Sequence, residues 1–132
     1  MNVNLKTRVW YSCGIILLIA LGLLSRKISG IPPCVGDALW AMVVYCCWRI
    51  VLVKKSNLFA ALAALVSSFA VEFSQLITWA PLTKLRSTLI GHLLLGQGFL
   101  YSDLLAYAIG IALLFLFTEI LKRIVEKRSK TP

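Results

Sequence analysis

The sequence predicts an all-α fold: a polytopic membrane helix bundle of about four transmembrane helices plus one short re-entrant or half-depth helix, forming a single membrane domain over residues 1–132. Three observations predict it. Hydrophobic residues make up 60% of the chain and charged residues only 14%, where a soluble domain carries about a quarter charged. The apolar residues fall into runs near the roughly 20 residues that a spanning helix needs. The basic residues, which raise the formal net charge to +9, lie between and beyond those runs. In a soluble protein that charge would suggest nucleic acid. Here it marks loops and helix ends, so no nucleic-acid partner is expected.

The first span is read as 9–24, after Lys6 and Arg8. Ser25-Arg26-Lys27 follows it without a small-residue cleavage pattern, so it reads as an uncleaved helix and not a signal peptide. Gly14 and Gly22 are candidates for close helix approach. A loop with Gly30, Pro32, Pro33 and Gly36 interrupts the pattern, and the second span is 37–53. Arg49, near its far end, is placed to reach the membrane interface with its long side chain. A short turn of Lys54, Lys55, Ser56 and Asn57 leads to the third span, 58–79, ended by Pro81. At 100° per residue Ala61, Ala64, Ser68, Glu72, Gln75 and Trp79 share one face of it. The stretch 87–98, with Gly91, His92 and Gly96, would make about 18 Å of helix against a hydrocarbon core of about 30 Å, hence the re-entrant reading. The last span is 99–121, with Asp103, Ala106, Tyr107 and Gly110 on one face and a basic tail beyond it.

Four spans bring both termini to one side of the membrane. That side gathers Lys6, Arg8, Lys54, Lys55, Lys122, Arg123, Lys127, Arg128 and Lys130; the other holds Arg26, Lys27, Lys84 and Arg86. The positive-inside rule then places both termini in the cytoplasm, in the inner membrane. Cys13, Cys46 and Cys47 lie in apolar runs as small hydrophobes, Cys34 lies in a loop, and no disulfide is expected.

With this topology a polar cluster assembles at the extracytoplasmic side: Glu72, Gln75, Arg86 and Asp103, with Arg26, Asp37, His92 and Tyr107 around them. Glu72 matters most, because an ionisable group below the headgroups is costly and is a functional hypothesis by default. Arg86 or Arg26 is its natural ion-pair partner, and a guanidinium also matches phosphate geometry. Asp37 and Asp103 suit helix N-termini, where a carboxylate satisfies free N–H groups. His92, the single histidine, reads as a polar residue packed at a helix interface, or as a general base. It makes no zinc site without several carboxylates, so no metal and no cofactor are expected. Tyr107 would find Asp103 one turn earlier. Trp40, Trp79 and Tyr101 on one boundary, and Trp10 and Tyr11 on the other, read as interface anchors. Ser74 and Ser102 lie near the cluster without a G-x-S-x-G elbow.

These residues resemble two families. Gly36-Asp37-Ala38-Leu39-Trp40, Glu72-Phe73-Ser74-Gln75-Leu76, Arg86, Leu95-Gly96-Gln97-Gly98-Phe99, Ser102-Asp103-Leu104 and Ala106-Tyr107 with Gly110 resemble an uncharacterised bacterial membrane family, the domain of unknown function 2809. More loosely, Glu72 with Gln75, Arg86, Asp103 and Gly110 resembles the VanZ-like family, which usually has Asn where Tyr107 stands. The second resemblance implies a cell-envelope role, since VanZ-like proteins are linked to tolerance of glycopeptide antibiotics.

Four functional readings follow. The first is binding of an anionic envelope lipid or lipid-linked intermediate by the cluster, with Arg86 holding phosphate. The others are a small intramembrane enzyme acting on a lipid phosphate, an oligomeric transporter or channel packed through Ala61, Ala64, Ala106 and Gly110, and a non-catalytic assembly subunit of an envelope complex. Membrane lipids are the expected partners in all four. The sequence does not decide whether the protein is an enzyme or whether it self-associates.

Overall fold

The computed structural model describes residues 3–129. Six helices follow one another: α1 (Val3–Ser25), α2 (Pro33–Val51), α3 (Asn57–Ser74), α4 (Ala80–Arg86), α5 (Leu89–Leu95) and α6 (Tyr101–Ser129). No strand occurs among the described residues. Four of the helices, α1, α2, α3 and α6, are long and apolar enough to cross a membrane, so the protein is a multi-pass membrane protein.

The core lies between α2, α3 and α6, each packed on the other two, while α1 packs chiefly on α2. Small residues let these helices approach: Ala41, Ala60, Ala61, Ala64 and Ala106 are buried. Gly110 is the tightest point. A Cβ there would run into the backbone of Ala38, so only glycine lets α6 cross α2 at this distance. Ala61, Ala64, Ala106 and Gly110, assigned above to contacts between copies, are therefore buried inside one chain. Gly14 and Gly22 do not mark a close crossing, since a Cβ at either meets at most ordinary contact.

The helix ends depart from the sequence reading in ways the backbone explains. Pro33 starts α2 and does not merely break the chain before it, because a proline at the first helical position loses no hydrogen bond. Asp37 consequently lies one turn inside α2 and is not its cap. α3 ends at Ser74, five residues before the expected Trp79, with Gln75 as its C-cap. Pro81 does not end it; it sits in the first turn of the new helix α4. α6 continues to Ser129 because Lys, Arg and Glu are good helix formers outside lipid. At 1.5 Å per residue α6 is about 43 Å long, more than a hydrocarbon core of about 30 Å.

One end of the bundle carries most of the basic residues: the start of α1, the α2–α3 turn and the end of α6. Arg49 does not reach out from it. It is buried, donates to the Leu52 and Lys55 carbonyls at 3.4 and 2.9 Å, and lies over the Tyr11 ring at 5.5 Å. Tyr11 is buried beneath it and is not an exposed anchor, unlike Trp10. Asn57 donates to Glu119 at 2.7 Å, and Tyr45 bonds Thr118 at 2.9 Å, tying α3 and α2 to the same stretch of α6. The α4–α5 hairpin lies at the opposite end.

Candidate functional site: a polar cleft at the less basic end of the bundle

Glu72 is the fixed point of this end. It is 0% exposed, in the last turn of α3. Three donors converge on its carboxyl: the Leu100 backbone N–H at 2.9 Å, the Tyr107 hydroxyl at 2.9 Å and the Gln75 amide at 3.0 Å. Buried polar groups need partners, and these three come from α3 itself, from the chain entering α6 and from α6. Among the described residues no Lys or Arg pairs with it. The ion pair expected with Arg86 or Arg26 is absent, and Tyr107 turns to Glu72 and not to Asp103.

Arg86 does something else. Pro81 has no N–H to offer the Ile77 carbonyl four residues earlier, so that carbonyl, in the turn after α3, lacks a helical donor. The buried Arg86 guanidinium donates to it at 3.2 Å, to the Ser74 hydroxyl at 3.0 Å, and to the Ser74 carbonyl at the end of α3, which also accepts from the Ile77 N–H. It is a helix C-terminal cap, favourable against the negative end of the helix dipole. The Arg86 carbonyl in turn accepts from Gln97 at 3.1 Å, which holds the α5–α6 loop against α4. That loop passes Gly96 at φ 64°, where a Cβ would lie 2.9 Å from the Gln75 amide nitrogen. The positive φ is what favours glycine there, since the Gln75 amide is the movable end of a side chain.

Above this frame opens a cleft of about 430 Å³. Its polar lining residues include Arg26, Asp37, Gln75, His92, Ser102, Asp103 and Tyr107. Its apolar lining residues include Leu93, Leu94 and Leu95 of α5, with Trp40, Val71 and Leu100. Arg26 donates to Asp37 at 3.1 Å, closing the α1–α2 turn. Asp103, in the first turn of α6, accepts from the Ser102 hydroxyl at 3.1 Å. Trp40 packs on Tyr107, ring centroids 5.4 Å apart. Cys34 stands exposed on the lining.

Of the eight candidate residues, Arg26, Asp37, Gln75, His92, Asp103 and Tyr107 therefore meet on one cleft. Glu72 lies behind it, bonded to two of them, and Arg86 is turned away into the backbone. His92 is exposed on α5, not packed between helices. Among the described residues no group of three His, Cys, Asp or Glu side chains could hold a metal ion. Trp40 was read as an interface anchor, Gln97 and Leu95 entered only through the family resemblance, and Leu93 and Leu94 were given no role. The signal for Gln97 was its place between Gly96 and Gly98, two glycines with positive φ.

α5 lines the cleft, and the α4–α5 hairpin and the segment before it expose apolar residues. Leu76, Ile77, Trp79, Leu85, Leu89, Ile90, Leu93 and Leu94 are all exposed. Such a surface beside four spanning helices suits lipid better than water.

A family model described as "Protein of unknown function (DUF2809)" matches residues 27–111, from the turn after α1 to the middle of α6. The match takes in every residue of the cleft except Arg26. No solved structure matches the chain.

Proposed function

The chain belongs to the DUF2809 family, whose function is unknown, and for this member we propose recognition of the headgroup of an envelope lipid or lipid-linked intermediate in the cleft. The observation that carries the reading is the cleft's mixed lining. Charged and amide groups of Arg26, Asp37, Gln75 and Asp103 share one space with Leu93, Leu94 and Leu95 of α5. A ligand with a polar head and an apolar body complements both kinds of group, and a purely water-soluble ligand complements one. The exposed apolar hairpin beside it supports the same reading, because acyl chains can continue over Leu93 and Leu94 into the bilayer.

The charge distribution supports the extracytoplasmic side for this cleft. The bundle end carrying Lys6, Arg8, Lys54, Lys55 and the α6 tail would face the cytoplasm by the positive-inside rule. The headgroup is then that of the outer leaflet of the inner membrane. The VanZ-like resemblance agrees with an envelope role. An anionic ligand held by Arg86 is no longer favoured, since that guanidinium serves the α3 carbonyls. Arg26 is the cation left on the lining to meet a phosphate.

The test is lipid mass spectrometry on protein purified gently from its membrane, comparing wild type with Arg26→Ala and Asp103→Ala at matched yield. One lipid class enriched with wild type and depleted from both variants is expected. A bulk-lipid profile shared by all three proteins would overturn the reading and leave the cluster as internal bracing. An enzyme acting on a lipid phosphate would use Asp103 or His92, the groups that reach the cleft, and would show turnover of the lipid so identified.

A further inference from the structure

We propose that the basic end of the bundle is a second lipid site, separate from the cleft: a collar of Lys and Arg side chains that binds the anionic phospholipids of the leaflet it meets. The bonds inside the bundle set the level of this collar. Asn57, the first residue of α3, donates to Glu119 of α6 at 2.7 Å. Lys54 and Lys55 lie just before Asn57 in the turn, and Lys122 and Arg123 follow Glu119 by about one turn, roughly 5–6 Å further out. On α1, Tyr11 is level with the buried Arg49 guanidinium, 5.5 Å away, and Lys6 and Arg8 lie about one turn beyond it. Three separate parts of the chain thus bring six exposed cations to one level.

Little at this end neutralises that charge. Its acids are Glu119 and Glu126. Glu119 already accepts from Asn57, and Glu126 meets Lys122 at 4.0 Å in a pair whose side chains are both more than half exposed, a weak contact in water. Arg49 adds charge from within. It is buried, it donates to the Lys55 carbonyl at 2.9 Å from beneath the turn, and among the described residues no acid pairs with it. A buried charge is screened little by salt, so its field adds to that of Lys54 and Lys55 above it. The other end differs: Arg26 is on Asp37, and Arg86 is held by carbonyls.

The level of the collar decides which anion it meets. Exposed apolar surface begins directly beside it: Trp10 after Arg8, Leu58 and Phe59 after Lys55, Phe117 and Ile120 before Lys122. Tryptophan favours the boundary between hydrocarbon and headgroups. The Lys55 ammonium lies 5.9 Å from the centre of the Phe59 ring, which holds one cation at that boundary. Cations just outside a lipid-facing band stand at the depth of the phosphates. A soluble anion would meet these charges from the water side alone, whereas a phospholipid also covers the apolar residues next to them. The asymmetry of charge that orients a chain during insertion therefore persists in the folded protein as a surface complementary to anionic lipid.

The experiment reconstitutes the full chain in phosphatidylcholine bilayers and measures, by electron spin resonance, how much spin-labelled phosphatidylglycerol or phosphatidylcholine is immobilised on the protein. Phosphatidylglycerol should associate roughly three- to fivefold more strongly at about 20 mM salt, and the ratio should fall toward one at about 1 M. The double variant Lys55→Gln, Arg123→Gln should lower the low-salt preference by about half or more. Lys27→Gln with Lys84→Gln removes the same charge from the other end, outside the cleft lining, and should leave the preference intact. Equal association of the two lipids with wild type would overturn the proposal, and so would a preference that survives about 1 M salt. Equal losses from the two double variants would overturn it as well, because net charge and not the collar would then be responsible. A preference that neither pair lowers would place the anionic lipid elsewhere, overturning the collar while leaving the headgroup reading of the cleft standing. The wild-type ratio and its salt dependence need no variant, so a misfolded double variant would not shield the proposal.

Discussion

Glu72→Ala and Glu72→Gln should separate sharply in stability, although both remove the same carboxylate. Alanine deletes the acceptor for the Leu100 N–H, the Tyr107 hydroxyl and the Gln75 amide together. Each buried donor left without a partner costs about 1–3 kcal/mol. Gln75 and Tyr107 border the cleft and can turn toward water, whereas the Leu100 N–H is fixed in the backbone. The sum is about 3–5 kcal/mol, a large part of the 5–15 kcal/mol that typically holds a domain together. Glutamine keeps an oxygen for Leu100. Its new NH2 faces the Tyr107 hydroxyl, which can rotate to accept, and the Gln75 amide, which can turn its donorless oxygen inward. The cost should then be about 1 kcal/mol. Reversible unfolding of the purified protein by SDS titration in mixed micelles measures both. Equal damage from the two variants would mean that charge, not acceptor geometry, holds this joint. A Glu72→Ala protein within about 1 kcal/mol of wild type would refute the joint altogether.

Arg86→Ala should cost about 2–4 kcal/mol in the same titration, because the Ser74 and Ile77 carbonyls lose a charged donor, and Arg86→Lys should recover less than half, since one ammonium cannot span both positions. Gly110→Ala should destabilise by about 1–3 kcal/mol through the clash with Ala38, whereas Gly14→Ala, with open space around it, should be neutral or stabilise by up to about 1 kcal/mol; parallel titrations of the pair test the crossing. A membrane-impermeant maleimide applied to intact cells should label Cys34, mapped by peptide mass spectrometry, if the cleft faces outward, and should spare the buried Cys46. Labelling of Cys34 only after the membrane is opened would reverse the topology.

The spans were legible because bilayer thickness fixes the length of an apolar run, and α1, α2, α3 and α6 each overlap most of one run that was read. Their ends were less so. Leu76, Ile77 and Trp79 continue the hydrophobic pattern of α3, and hydropathy does not register that Pro81 leaves the Ile77 carbonyl without its donor. Pro33 was taken as a breaker where it is a helix starter. The membership of the cluster was legible too, since alternating spans and helical periodicity bring Asp37, Gln75, Asp103 and Tyr107 to one end. The pairing was not. Whether an arginine meets a carboxylate or a carbonyl turns on a few ångströms between elements, and both Arg49 and Arg86 met carbonyls. Each lies just where a helix end leaves backbone oxygens open, a rule that could be applied to other short membrane chains.

The contact between Tyr11 and Arg49 bears on how the chain is built. Helix α1 supplies the ring that lies against a buried cation near the end of α2. An α2 presented to the bilayer alone would carry that cation toward hydrocarbon, at a cost of up to about 2.5–3.5 kcal/mol on insertion scales. Because α1 precedes α2 in the chain, its aromatic ring is in place when the arginine arrives, and the two helices can enter as a hairpin. Deletions within α1 would then be felt first as failed integration of α2 during synthesis, long before any defect at the distant cleft could be read.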